Sequence, residues 1–191
     1  MMNLQGQLLI AMPHVKDYFE QAVILICEHN AQGAMGVMIN YPTDLSIAEL
    51  YSKLNLMSIN NRQFSQRHVT GTLVLTGGPV HSERGFIVHT KSKTEFEHSY
   101  PISDNLWLTT SADIINTFGS SDAPENYLVA LGCANWAPGQ LEQEIADNVW
   151  LVAPSNNYIL FHTRYDDRYS TASRQLRIYG DNLVPEQMGH A

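Results

Sequence analysis

The order of short apolar runs and amphipathic stretches along this 191-residue chain predicts an α+β fold. Two apolar, β-branched runs at residues 22–27 and 34–39 flank a polar connection and predict a β-hairpin. Farther along, Leu141, Ile145 and Val149 recur every fourth residue, which predicts the apolar face of a helix. Because hairpins and helices follow one another without a regular βαβ rhythm, the pattern favours α+β over a doubly wound sheet.

The remaining elements follow from the same signals. Residues 8–11, 72–76, 85–90, 105–109 and 127–131 read as strands, with 85–90 expected beside 72–76 and Gly132 expected to close 127–131. Ser46 and Glu49 have the spacing of a capping box and predict a helix start. We further expect a helix capped by Thr110, an apolar segment at 150–153, a helix from Tyr165 to about Gly180, and a mobile loop at 55–71.

Length and composition predict one domain spanning residues 1–191, because single cores usually serve about 100–200 residues. Hydrophobic residues make up 44% of the chain, which suffices for such a core. No internal repeat or low-complexity linker interrupts the sequence. We therefore expect one cooperative unit.

The charge is unevenly distributed. Residues 1–95 carry seven Lys/Arg and seven Asp/Glu, whereas residues 96–191 carry four and twelve, so the net charge of −8 lies in the second half. Because an acidic surface repels phosphate backbones, nucleic acid is not an expected partner. A partner protein or a small molecule is the expected kind of ligand.

Cysteine usage and hydropathy point to the cytoplasm. The two cysteines, Cys27 and Cys133, form neither a disulfide framework nor a Cys-x-x-Cys pair. The N-terminal residues lack the pattern of a signal peptide, and no apolar run approaches the ~20 residues that span a bilayer. We expect a reduced, cytoplasmic protein with no membrane association, no cofactor and no bound metal.

The cysteines allow three interpretations: a zinc site, a catalytic nucleophile, and a thiol buried in the core. Cys27 and His29 are two residues apart, which on a regular strand places both on one face, so with Cys133 they offer three zinc ligands. Cys133, at a strand end ahead of a helix, is also a candidate nucleophile. Neither has the tight ligand pairs or the local signature that such sites usually show, so we interpret Cys27 as a buried core thiol.

Three glycine-containing corners, at residues 33–36, 77–79 and 132–139, follow or join predicted strands. Since loops on a rigid scaffold usually carry binding groups, we expect at least two corners to meet at one concave site, with Arg84 available for an anion and Trp136 for an apolar group. The alternative is that the glycines only make turns and the corners lie apart. The candidate ligand-binding residues are His29, Asn30, Gly78, Arg84, Asn135, Trp136 and Gln140.

Taken together, several stretches resemble one family over nearly the whole chain and in the right order. They are residues 27–30 (CEHN), 33–36 (GAMG), 39–40 (IN), 77–79 (GGP), 84–86 (RGF), 103–104 (SD) and 139–142 (GQLE), with Asn148 and Trp150. This combination resembles the YqgE/AlgH family of bacterial proteins. The resemblance implies a bacterial cytosolic domain of α+β type with a mixed, partly barrel-like sheet surrounded by helices, and it implies no known activity.

Some members of that family carry the label of a transcriptional regulator of alginate synthesis, although the family shows no recognised DNA-binding motif. The resemblance also implies Tyr at the position of Cys133 in many relatives, which counts against an essential thiol there. Three functional hypotheses remain: a non-enzymatic binding or regulatory module around Gly78, Arg84, Asn135 and Trp136; a hydrolase-like or thiol enzyme near Cys27 and His29; and a DNA-binding regulator.

Overall fold

A computed structural model describes residues 3–53 and 72–181 of the chain. Ten strands and three α-helices occur in these ranges. The strands are β1 (Gln7–Ala11), β2 (Val23–Asn30), β3 (Gly33–Met38), β4 (Pro42–Ser46), β5 (Leu73–Thr76), β6 (Val80–Thr90), β7 (Ser99–Pro101), β8 (Leu106–Thr109), β9 (Tyr127–Trp136) and β10 (Trp150–Pro154). The helices are α1 (Ile47–Lys53), α2 (Gln140–Ala146) and α3 (Tyr165–Asp181). The chain is therefore mostly β with a few helices, within the predicted α+β class.

All ten strands join in one sheet whose main path is β10-β1-β2-β3-β9-β6-β8-β7, with β5 pairing to β9 and β4 to β5. The β5–β9 pair is parallel and the other pairs are antiparallel, so the sheet is mixed. The sheet curls into a half-barrel. The segment ahead of β1 lies close to the end strand β7, since the Gln5 side-chain amide donates to the carbonyls of Pro101 and Ile102.

Apolar residues of alternate parity pack on the two faces of the sheet. On β2, Val23, Leu25 and Cys27 belong to the core on the inner, concave face, which α3 and the π-helical turn Tyr158–His162 help to fill. Ile24 and Ile26 belong to the core on the outer face, which α2 covers. A third apolar cluster lies around the 3₁₀ turn Ile115–Thr117. The helices thus cover parts of the sheet, and the expectation of helices around the whole sheet is supported only loosely.

Helix α3 is held to the sheet by Arg168, whose side chain is buried. Its guanidinium donates to the backbone carbonyls of Thr163 and Ile39, the latter just beyond β3. Burial lowers the pKa of Arg168 to about 10, and the nearby Tyr165 opposes that change. The guanidinium also lies 4.8 Å from the centre of the Tyr165 ring, a cation–π distance.

Several predicted elements are confirmed. The hairpin β2–β3 forms, and the capping box is present, since the Glu49 backbone N–H reaches the Ser46 hydroxyl and the Glu49 carboxylate accepts from the Ser46 backbone N–H. Helix α3 forms where the apolar periodicity places it, and α2 contains Leu141 and Ile145 but ends at Ala146, so the third predicted residue of its apolar face, Val149, lies beyond the helix. The mobile loop expected at 55–71 lies outside the described residues.

Other predictions were wrong in detail. Gly132 does not close a strand, because β9 continues through it to Trp136. Strand β6 does not pair with β5, since β9 lies between them. The helix expected after Thr110 is only the 3₁₀ turn Ile115–Thr117, and Asp113 ahead of it ties this segment to a distant one by accepting from the backbone N–H of Glu97 as well as from that of Ile114.

Candidate functional site

The glycine corners converge on the C-terminal half of β9. A Cβ atom at Gly33 would overlap the Trp136 carbonyl, and one at Gly78 would overlap the backbone of Cys133. Both glycines also have positive φ, +125° and +155°, a conformation that other L-residues rarely adopt. The 33–36 and 77–79 corners therefore lie against the third corner. Glycine is required at Gly33 and Gly78 by close backbone approach as well as by turn geometry.

A concavity of about 340 Å³ opens where two of these corners meet. We call it the outer concavity, because its wall belongs to the outer core. The residues that matter below are Asp17, Phe19, Asn135, Trp136, Gln140, Glu144 and Trp150. Pro79 of the Gly-Gly-Pro corner also contributes to the wall.

The carboxylate of Glu144 organises this wall. Its Oε2 accepts hydrogen bonds from the indole N–H of Trp136 at 2.8 Å and of Trp150 at 2.7 Å. Its Oε1 accepts from the Gln140 side-chain amide at 2.8 Å, and the Gln140 oxygen in turn accepts from the Ala137 backbone N–H at 3.0 Å. Two tryptophans, a helix start and a strand end are thereby fixed to one another.

Aromatic rings stand nearly at right angles in the same wall. The Trp136 and Trp150 ring centres are 6.2 Å apart with an interplanar angle of 81°, and Phe19 meets Trp150 at 5.6 Å and 72°. Such edge-to-face pairs contribute about 0.5–1.5 kcal/mol each beyond their area burial. Together with the Glu144 hydrogen bonds they make the wall rigid.

A second concavity, of about 280 Å³, lies at the β2–β3 turn and includes Asn30, Gly33, Asn135 and Trp136. We call it the hairpin concavity. Its Asn30 side chain accepts from the Gln32 backbone N–H at 2.7 Å, which forms the two-residue turn. The hairpin concavity shares Asn135 and Trp136 with the outer one.

A third concavity, of about 440 Å³, opens on the concave side of the sheet. We call it the inner concavity. It is lined by Gln5, Cys27, Glu28, Met35, Arg84 and Tyr100, among others, and it shares Glu28 and Met35 with the hairpin concavity. Arg84 is exposed and makes no ion pair or hydrogen bond with residues 3–53 or 72–181.

Both thiols near the inner concavity are buried and poorly suited to nucleophilic chemistry. Burial raises the pKa of Cys27 well above its ordinary value, and a charge on Cys133 raises it further, while the Val37 backbone N–H opposes both. Burial also raises the pKa of Cys133, against the opposing charge of Arg84. Because the thiolate is the reactive form, the raised pKa values disfavour nucleophilic attack by either thiol at neutral pH.

Cys27 and His29 do not share a face, contrary to the expectation from a regular strand. The β2–β3 register shifts between Ile26 and Glu28, so Cys27 occupies a bulge. Cys27 packs in the inner core, whereas His29 lies on the outer side and joins α2. The Leu4 backbone N–H donates to His29 Nδ1 at 3.1 Å, and Nε2, which therefore carries the proton, donates to Glu142 at 3.1 Å. His29 holds the N-terminal segment and α2 to β2.

The described parts of the chain contain no group of three or more His, Cys, Asp or Glu side chains arranged to hold a metal ion. Among the helices of those same parts, none combines the length and the apolar character needed to cross a membrane.

A separate concavity of about 350 Å³ lies between the β6–β8 pair and the segment that follows β6. It is lined by His89, Lys91, Lys93, Ser99 and Trp107, among others. His89 Nδ1 donates to the Thr90 carbonyl, so its Nε2 accepts from the Thr109 hydroxyl at 2.8 Å. Burial lowers the pKa of His89, against that carbonyl bond, and keeps the ring neutral.

Comparison with known proteins gives this fold a family. Residues 8–179 match the model of the AlgH-like family. The chain belongs to the AlgH-like family. A UPF0301 protein of Haemophilus influenzae is 55% identical over 191 residues, which is the full length of both chains. The solution structure of the AlgH protein from Pseudomonas aeruginosa matches with a TM-score of 0.76 and 36% identity, covering 100% of this chain and 97% of that one.

Protein DIP2367 from Corynebacterium diphtheriae shares the fold at a TM-score of 0.69 and 20% identity, covering 91% of this chain and 87% of that one. The expected resemblance to the YqgE/AlgH family is thus confirmed. Membership of the AlgH-like family does not assign a reaction or a ligand to this chain. Its function is therefore inferred from the geometry of the site.

Of the seven candidate residues, five line the connected concavities of this AlgH-like chain. Asn30, Asn135, Trp136 and Gln140 line the outer and hairpin concavities, and Arg84 lines the inner one. Gly78 is buried against β9 and lines none of these three, and His29 is buried with both ring nitrogens engaged.

Sequence reasoning missed Asp17, Phe19, Glu144 and Trp150 as wall residues. The available signal was that two tryptophans, Trp136 and Trp150, flank a short helix bearing Glu144. Indole N–H groups that become buried need acceptors, and a carboxylate on the helix between them is a natural one.

Proposed function

We propose that this chain is a single-domain, cytoplasmic, non-enzymatic binding module that takes a segment of a partner protein at the C-terminal end of β9. The observation that carries the proposal is that the hairpin concavity shares wall residues with both the outer and the inner concavity. Asn135 and Trp136 belong to the hairpin and outer concavities, and Glu28 and Met35 to the hairpin and inner concavities. One extended ligand can therefore contact all three.

The state of the ionisable groups supports binding over catalysis. Both thiols have raised pKa values, and His29 has no free ring nitrogen, so the hypothesis of a thiol enzyme lacks an activated nucleophile and a free base. The outer concavity is instead prearranged by internal hydrogen bonds. Prearranged walls reduce the entropy lost on association, which is a property of binding sites.

The inner concavity contributes a cation with no acceptor of its own in the described part of the chain. The exposed guanidinium of Arg84 can pair bidentately with a carboxylate of the partner. Asn135, which is also exposed, offers a side-chain amide where the outer and hairpin concavities join. Arg84 and Asn135 are therefore the two positions at which substitutions test binding with the least risk to folding.

The test is affinity purification with two site variants, Arg84→Glu and Asn135→Arg, followed by direct titration of the recovered partner. Arg164→Glu is the matched control, because its side chain is 82% exposed and lines a different concavity. We expect a partner that wild type and Arg164→Glu retain and that both site variants lose, with an affinity loss of about tenfold or more in titration.

The proposal fails if no retained protein depends on both positions. It also fails if purified wild type hydrolyses an ester or thioester substrate with a rate that Cys27→Ala abolishes, since that result would support the enzyme hypothesis. A folded-state control by near-UV circular dichroism accompanies each variant.

A further inference from the structure

We propose that the outer concavity binds the cationic end of a lysine side chain. This inference rests on the proposed function and names the chemistry of one part of the partner segment. It replaces the expectation that Trp136 receives a purely apolar group.

The first argument is charge. Two carboxylates, those of Asp17 and Glu144, line the outer concavity, and none of its lining residues is a lysine or an arginine. The nearest lysine along the chain, Lys16, pairs with Glu20 at 2.5 Å through an i,i+4 bridge. The concavity thus carries two negative charges without a cation in its wall, and an anion would be repelled from it.

The second argument is the unused acceptor capacity of Glu144. A carboxylate offers about four lone-pair sites, and the three neutral N–H donors described above occupy three of them. Because these three donors are neutral, they do not compensate the negative charge of the Glu144 carboxylate. One site on Oε1 remains for a further donor, and Asp17 keeps Oδ2 free because its Oδ1 alone accepts from the Phe19 backbone N–H at 2.9 Å.

The third argument is the apolar part of the wall. Phe19, Trp136 and Trp150 line the concavity together with aliphatic residues. Aromatic rings attract cations through their π-faces, with tryptophan the strongest. A lysine side chain combines a four-carbon stem, which suits these walls, with an ammonium that donates to Glu144 and Asp17. A purely apolar side chain would desolvate both carboxylates without replacing their partners, which costs free energy.

The three tryptophans allow a direct test by NMR. Each indole N–H gives its own signal: those of Trp136 and Trp150 donate to Glu144, and Trp107 Nε1 lies in the separate lysine-lined concavity without an acceptor among the described residues. The probe is the capped peptide acetyl-Ala-Lys-Ala-amide titrated into full-length protein. We expect the chemical shifts of the Trp136 and Trp150 indole signals to change saturably, with a dissociation constant on the order of 1 mM. The chemical shift of the Trp107 indole signal should not change.

Two further ligands separate the possible sources of the shift. The same peptide with norleucine in place of lysine tests whether the charge is needed, and spermidine tests whether a free polyamine is the better ligand. Equal shifts with norleucine, or no shift of either indole with lysine at about ten times the expected dissociation constant, overturn the proposal. Tighter binding of spermidine than of the peptide overturns the assignment to a protein side chain.

Substitutions then test whether the lysine ammonium of the peptide contacts Glu144 and Asp17. Glu144→Gln removes the charge but keeps an acceptor, and we expect about a fivefold loss of peptide affinity. Asp17→Asn, at an exposed position, keeps the test available if Glu144→Gln is unstable, with an expected loss of about twofold. Glu125→Gln is the control, since it removes an equal charge ahead of the opposite end of β9.

The outcomes for the two proposals are separable. If the lysine peptide fails but a partner still depends on Arg84 and Asn135, the binding module stands and the cation site is wrong. If the peptide binds as expected but no partner depends on those positions, the cation site stands alone.

Discussion

The outer and inner concavities each take a wall residue from β6, Val80 and Arg84 respectively, yet they differ in how their polar groups are arranged. In the outer concavity Glu144 is fixed by three donors before any ligand arrives. In the inner concavity Arg84 has no acceptor among the described residues and the thiols beneath it are protonated. One face of the sheet therefore presents a rigid, negatively charged site, and the other presents the exposed Arg84 in a concavity that Glu28 and the buried Cys27 also line. The first is expected to select a ligand by shape and by positive charge, and the second offers Arg84 to a negatively charged group.

The first way to break this comparison is to separate the corners that meet at the outer concavity. Gly78→Ala places a Cβ into the backbone of β9 at a residue with φ of +155°. We expect a loss of about 3–5 kcal/mol in the free energy of unfolding, measured by urea denaturation. Gly139→Ala is the control, because φ is +77° there but a Cβ would meet nothing within 4 Å, so only about 1–2 kcal/mol is expected. Equal losses would show that the close approach at Gly78 contributes nothing.

A second variant tests whether the hydrogen bonds that His29 makes on the outer face stabilise the fold. His29→Ala removes the acceptor of the buried Leu4 N–H and the donor to Glu142. We expect a loss of about 2 kcal/mol in unfolding free energy, with no change in thiol alkylation of the folded protein. The exposed His14→Ala provides the control and should change stability by less than about 0.5 kcal/mol. A stable His29→Ala protein would return His29 to the candidates for ligand binding.

The inner face can be examined through pH. Because burial raises the Cys27 pKa in the folded state, the unfolded chain loses its thiol proton first as pH rises. The stability that this group contributes is complete below its unfolded pKa of about 8.5 and declines above that value, by at most about 1.4 kcal/mol per pH unit. Denaturation curves between about pH 7.5 and 9.5 should show this decline in wild type and a shallower one in Cys27→Ala. An identical slope in both would mean that the thiol is not buried as described.

The sequence predicts the scaffold well and the contacts between distant segments poorly. Apolar runs such as residues 22–27 specify strands because local hydrophobic pattern and β-propensity agree. The bulge at Cys27 is not visible in that run, since register depends on the partner strand. Likewise Gly132 continues β9 with φ of +78° because Gly78 from another segment packs against it, which no local rule indicates.

In the candidate site, too, local features are predictable from the sequence and contacts between distant segments are not. Asn135, Trp136 and Gln140 could be selected because they surround a glycine-containing corner, where scaffolds usually display binding groups. The role of Glu144 could not be assigned from its position in α2 alone, because its two indole donors come from different strands. Residues near the end of one strand are predictable, and hydrogen bonds that join several elements are not.

A smaller effect is expected from removing the cation of the inner concavity. Arg84→Gln should change the unfolding free energy by less than about 0.5 kcal/mol, since the side chain is exposed and unpaired among the described residues. Binding of a partner should nevertheless weaken, which separates a ligand contact from a stabilising one. Glu144→Gln, which alters a wall tied by three hydrogen bonds, should by contrast affect stability measurably. The comparison between the two faces would be wrong if Arg84→Gln were the more destabilising of the two.

The smallest effect is expected with DNA. The net charge of −8 opposes a polyanion, and the lysines Lys91 and Lys93 share their concavity with Glu95, which offsets part of their charge. The inner concavity likewise contains a carboxylate, that of Glu28, as well as Arg84. We therefore expect no retardation of duplex DNA in a gel-shift experiment at moderate salt with micromolar protein, and no difference between wild type and Arg84→Gln. Submicromolar affinity that falls steeply with added salt would instead support the DNA-binding hypothesis, because such a slope measures the number of phosphates that a protein neutralises.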